Sequence, residues 1–93
     1  MQPVSEMAKV LLENDRVRMV EVRIKAGETL PMHSHPSYII YSFNPGRFQF
    51  TTQDGRTEIV EYDGGQTVWR DAETHEVENI GTTESRALVI EFK

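Results

Sequence analysis

Glycine, proline and Asn/Asp turns interrupt this chain so often that only short extended segments fit between them. Six glycines and four prolines are spread along 93 residues, each a point where a helix stops or a strand turns. Between the breaks the material is β-forming: Val, Ile and Thr total 23 residues, Ala and Leu only 8. β-branched side chains fit a pleated, half-buried surface and lose rotamer freedom in a helix. The chain is therefore expected to be nearly all β. A domain of this length buries only roughly 65% of the surface its unfolded chain exposes. Residues 1–93 are read as a single domain, with 1–7 as a loose or dimer-exchanged arm.

Strand candidates follow the breaks. Ala8 to Leu12 precedes the Glu13-Asn14-Asp15 turn, and Arg16 to Lys25 is the longest run. In that run the apolar phase slips between Met19 and Val20, which predicts a β-bulge there. Met32 to His35, Tyr38 to Phe43, Arg47 to Thr52, Thr57 to Tyr62, Gln66 to Arg70, Thr74 to Asn79 and Arg86 to Phe92 complete the set. Asp54-Gly55 between two β-rich runs reads as a hairpin turn. In the last run Leu88, Ile90 and Phe92 are expected to face inward. So many short strands argue for a closed barrel or a compact sandwich.

Several function classes drop out. With no cysteine there is no disulfide, zinc ribbon or thiol nucleophile. A formal charge of −5 repels phosphate backbones, so no nucleic-acid partner is expected. No apolar run approaches the roughly 20 residues that span a bilayer, and the first residues lack the basic and apolar regions of a signal peptide. A cytoplasmic location without a membrane partner is expected.

Chemistry concentrates in three histidines. His33 and His35 form a His-Ser-His pair, and residues i and i+2 of a strand share a face. Imidazoles so placed can converge on one metal ion. His75 lies 40 residues later on another expected strand, within reach if the fold brings the two together.

The spacing around the histidines is specific. Gly27, five residues, His33-Ser34-His35, three residues, Ile39, six residues, Gly46 make one pattern. Gly64, five residues, Arg70, one residue, Ala72, two residues, His75, three residues, Asn79 make another. Together they resemble the two motifs of the cupin superfamily, Gly-x5-His-x-His-x3-4-Glu-x6-Gly and Gly-x5-Pro-x-Gly-x2-His-x3-Asn, in a small, single-domain form of the cupin-2 type. The motif glutamate falls on Ile39, or on Ile40 with the longer spacing, and neither binds a metal. Arg70 and Ala72 stand where proline and glycine are usual; counted from Gly65, Asp71 takes the proline position.

The resemblance implies an all-β, double-stranded β-helix (a jelly-roll barrel) in which His33, His35 and His75 bind one divalent transition metal, Fe, Zn, Mn, Ni or Cu. It is similar in ligand set to three-histidine cupins such as the cysteine and diketone dioxygenases. Motif phase places Ile39, Tyr41 and Phe43 on the ligand face. Tyr41 is then the candidate to hydrogen-bond a substrate, and Arg70 the candidate to fix a substrate carboxylate. A packed tyrosine and a solvated arginine are the competing readings. Trp69 is expected at the cavity mouth or in the core, and Glu73 is the one acid near enough to substitute as a ligand. The expected function is a metal-dependent oxidoreductase, dioxygenase-like, on a small polar molecule. The alternatives are a metal- or ligand-binding module without turnover, such as a sensor or partner-binding subunit, or a barrel with structural histidines. Small cupins commonly pair, so a homodimer is expected, with Val4 to Leu12 as the crossing strand.

Overall fold

The computed structural model describes residues 7–93. Nine strands follow one another: β1 (Ala8–Glu13), β2 (Val17–Ile24), β3 (Thr29–His35), β4 (Tyr38–Ser42), β5 (Gly46–Thr52), β6 (Thr57–Tyr62), β7 (Thr67–Arg70), β8 (Glu73–Asn79) and β9 (Ser85–Phe92). They form two antiparallel sheets, one in the order β1-β2-β9-β4-β7 and the other β3-β8-β5-β6. The inner faces enclose a core of Ile24, Leu30, Phe48, Phe50, Tyr62 and Val77. This is the expected all-β jelly roll. Most of the arm lies outside the described residues; Met7 packs against the core and its carbonyl accepts a hydrogen bond from Arg23 N at 2.7 Å. Among the described residues no helix is long and apolar enough to cross a membrane.

Turn chemistry sets the ends of the motifs. Gly27 has φ +84°, a conformation that side chains with a Cβ avoid. Its N–H donates to the carbonyl of Asn79 at 2.9 Å, so the start of the first motif is tied to the end of the second. Asn79 is 1% exposed, and its side chain donates to the carbonyls of Ile24 and Thr83 at 2.8 and 3.0 Å. The motif asparagine is thus a loop clamp. At Gly46 a Cβ would stand 2.8 Å from the buried Phe48 ring, so that glycine is needed for packing.

Three expectations about phase are corrected. β2 pairs with β9 residue for residue, from Val17↔Phe92 to Ile24↔Ser85, and carries no bulge against it. The irregularity lies next door, in β1 between Val10 and Leu12. The apolar pattern of β2 inverts because Arg18, 6% exposed, occupies the inward face with Val20, Val22 and Ile24. On β9 the buried residues are Ser85, Ala87, Val89 and Glu91, so Leu88, Ile90 and Phe92 face outward. On β4 Tyr38, Ile40 and Ser42 line the interior, so Ile39 and Tyr41 face outward.

The outward phase builds a stripe. Cross-strand partners share a face, and the register runs Leu12↔Met19↔Ile90↔Ile39↔Trp69 across all five strands. Trp69, 56% exposed, stacks on Phe92 with ring centroids 5.6 Å apart.

Candidate metal centre

β3 and β8 bring the histidines together. His33 lies directly opposite His75 in the ladder, and His35, two residues on, shares their face. A register shift between Leu30 and His33 makes this arrangement possible. Leu30 and His33 are three residues apart, so unbroken alternation would put them on opposite faces. The bulge at Pro31 and Met32 absorbs one residue and turns both inward. Proline, which lacks the ladder donor, is at home there. One ligand nitrogen from each ring lies within 4.8 Å of the other two, and the ring centroids are 4.5 to 5.3 Å apart.

The rings are held by specific partners. His33 Nδ1–H donates to the Pro31 carbonyl at 2.6 Å, so the bulge that rephases the strand also sets the tautomer. His35 Nδ1–H donates to Glu91 Oε2 at 2.5 Å. Both leave Nε2 with a free lone pair, and such second partners orient metal-binding imidazoles. His75 is 1% exposed and its Nδ1 has no hydrogen-bond partner; Glu73 Oε1 stands 3.5 Å away, outside hydrogen-bond geometry. Burial pushes His75 down to about 4 and holds His33 below its ordinary value. Both are therefore neutral near pH 7, the state a metal requires.

A polar row supports the site from the opposite sheet. The register Arg18↔Glu91↔Tyr38↔Arg70 runs across β2, β9, β4 and β7. Glu91 accepts from His35 and from Arg18 Nη1, the latter at 3.3 Å. Burial raises its carboxyl, but these two partners outweigh burial and hold it below the usual range. Tyr38 packs on His35 with centroids 4.4 Å apart and donates its hydroxyl to Glu73 Oε2 at 2.5 Å.

The other expected site residues fare differently. Tyr41 lies on the outward face of β4, its ring edge-on to Phe43 at 5.0 Å, and is not brought to the histidines. Arg70 clamps Glu73 with Nε and Nη2, both at 2.9 Å, reaches Glu58 at 3.3 Å and lies over the Phe50 ring. Its fork is occupied, and it positions Glu73 beside His75. Burial raises the Glu73 carboxyl, but Arg70 and Tyr38 hold it below its ordinary value; it is committed to them and stands outside the ligand cluster. Ile40, not Ile39, takes the inward position of the motif acid. Trp69 lies on the outer face, neither at a cavity mouth nor in the core. Sequence reasoning missed Tyr38, Arg18 and Glu91. Arg18 and Glu91 carried no distinct signal, since Glu21 and Arg23 recur along β2 and Arg86 stands on β9.

Two small cavities meet at the histidines. The inner one, about 50 Å³, is walled by Ile24, Leu30, Ile40, Phe48, Phe50 and Val77 together with the three rings. The second, about 160 Å³, lies on the side of β1 and β2 against His33 and His35. The donor set fits a divalent transition metal. Neutral imidazoles suit such ions, two of the rings are already oriented, and the third has a buried nitrogen without a protein partner.

No protein-family model and no curated protein matches the chain by sequence. Solved structures do match. A cupin-domain protein from Bordetella pertussis Tohama I superposes with TM-score 0.85 at 25% identity, covering 100% of this chain and 98% of that one. An RmlC-like cupin with a double-stranded β-helix fold from Methanocaldococcus jannaschii gives 0.73 at 17% identity, over 99% and 82%. The polyketide cyclase RemF from Streptomyces resistomycificus gives 0.65 at 24% identity, over 91% of this chain and 63% of that one. With fold, motif spacing and structural neighbours in agreement, the chain has the fold of a small cupin.

Proposed function

We propose that His33, His35 and His75 hold one divalent transition metal and that the loaded protein is an oxidoreductase of dioxygenase type acting on a small polar molecule. The observation that carries this reading is the cluster itself: three imidazoles within 4.8 Å, at the junction of two cavities. Ligation by three neutral rings leaves the ion its full double charge, so when bound it supplies Lewis acidity and, if redox-active, electron transfer. The chain's own residues hold the site rather than move protons. Glu91 fixes His35, the Pro31 carbonyl fixes His33, and Arg70 and Tyr38 fix Glu73. Apolar walls of the inner cavity exclude water from one side of the rings. A site whose acids are all committed suits chemistry performed at the ion over side-chain acid–base catalysis.

The same commitment of Tyr38, Glu73 and Arg70 favours a second reading, a metal- or ligand-binding module without turnover. Elemental analysis of protein purified without a polyhistidine tag, beside a His33→Ala/His35→Ala/His75→Ala variant, tests the site. About one transition-metal ion per chain, lost in the variant, is the expected result. Iron leads to oxygen-consumption screens with thiols and diketones. A stoichiometric ion with no turnover supports the binding module, and failure to hold any added metal withdraws both.

The working unit in this reading is a homodimer joined through the stripe Leu12–Met19–Ile90–Ile39–Trp69. Five strands at about 4.8 Å spacing make it roughly 19 Å wide. Charges at its margin are drawn into pairs within the chain, Arg86 and Arg23 on Glu21 at 2.6 and 3.6 Å and Lys93 on Glu13 at 2.7 Å. A two-fold related copy therefore meets an apolar stripe equal to its own.

A further inference from the structure

The cavity of about 160 Å³ is walled by Ala8, Arg18, Ser34, His35 and Glu91 among others. Arg18 is 6% exposed and carries its charge at every physiological pH. Burying a guanidinium is costly unless all its donors are used. Here they are not. Nη1 makes one bond of 3.3 Å to Glu91 Oε1, Nε lies 3.7 Å from Glu13 Oε1, and Nη2 has no hydrogen-bond partner. Glu91 does not take Nη2 in a fork: its second oxygen is turned to His35, at 2.5 Å from Nδ1. A cation that served only to neutralise Glu91 has no reason to leave a buried donor orphaned, since the missing bond is itself destabilising.

We infer that Arg18 anchors the carboxylate of a small organic acid with a short apolar tail. Three observations select that class. A planar carboxylate is the natural complement of an unfilled guanidinium. Arg18 is the one guanidinium and Glu91 the one carboxylate of the cavity wall, so a monoanion leaves one excess negative charge there where a dianion such as phosphate leaves two, and the smaller excess is the less costly to bury. The two cavities share Val22, Leu30, His33, His35 and Val89 as walls, so a ligand held at Arg18 runs past the histidine edge with its tail toward the apolar chamber. At about 50 Å³ that chamber admits a few carbon atoms and nothing larger. In placing the ligand beside the ion, the inference rests on the metal-binding reading above. The role of Arg18 itself does not.

Calorimetric titration of the full 93-residue chain with propionate and with propionamide, its neutral counterpart, provides the test, on metal-free and zinc-loaded samples. Propionate is expected to bind, and propionamide to bind roughly tenfold more weakly or worse. Arg18→Lys keeps the charge but removes the fork, and is expected to weaken propionate at least roughly tenfold while leaving propionamide unchanged. Zinc content of the same samples separates the two ideas. A chain that holds no zinc but still binds propionate through Arg18 loses the metal reading and keeps this one. A stoichiometric zinc ion with propionate no better than propionamide, or with Arg18→Lys binding as well as wild type, overturns this one. A measurement without any variant stands beside it: the Arg18 Nε–Hε resonance should move with propionate and stay with propionamide. An unmoved resonance overturns the assignment even if Arg18→Lys does not fold.

Discussion

At the scale of single residues, the site is built from groups whose protonation the fold has already decided. His75 illustrates the consequence. Unfolded, it takes up a proton near its ordinary value of 6.5; folded, burial delays protonation to about 4. Between those values the unfolded chain binds more protons, so stability present above about pH 6.5 is lost as the pH falls toward 4. The urea midpoint of metal-free protein should therefore drop between pH 7.5 and pH 5. His75 alone accounts for on the order of 2 kcal/mol, and His33 adds to it with the same sign. A midpoint that is flat over this range would contradict neutral, buried imidazoles. The histidines themselves were legible because His-x-His and the distant third histidine sit at motif spacing. Arg18 and Glu91 were not, since a charged residue in a strand is normally read as facing water. Arg18 finds its buried partner, Glu91, on the neighbouring strand, and Glu91 finds His35 on the facing sheet.

At the scale of elements, all nine strands were legible from turn residues and β-branched runs. Their phases were read less well. β2, β4 and β9 each carry a polar residue on the core face, Arg18, Tyr38 and Glu91. On β9 the sequence reads Leu88, Ile90 and Phe92 as the inward set and on β4 Ile39 and Tyr41, while on β2 the change of phase beside Arg18 reads as a bulge. β3 starts at Thr29, earlier than its Pro31 suggests, because the proline sits in a bulge where no ladder donor is needed. That bulge makes a sharp prediction. Deleting Met32 leaves Leu30 and His33 two residues apart, so plain alternation keeps both inward without the bulge. The deletion variant should hold its metal while circular dichroism reports unchanged β-structure. Loss of the ion with β-structure intact would contradict the reading of the bulge as one absorbed residue.

At the scale of the whole molecule, the apolar stripe on the five-stranded sheet is the feature a lone chain leaves unexplained. Sedimentation at micromolar concentration is expected to show a dimer. Ile90→Lys, at the centre of the stripe, should give monomer with metal content unchanged; a wild-type monomer, or an Ile90→Lys dimer, would contradict pairing through this face. The order of the sheet has a different kind of consequence. β9 is the last of the nine strands to leave the ribosome, yet it lies between β2 and β4 at the middle of its sheet and carries Glu91 to His35. Until it arrives, β2 and β4 have no common neighbour and His35 lacks its acceptor. The three candidate ligands are thus synthesised before the strand that orients one of them, and the supporting shell closes only when a late strand inserts between two that already exist.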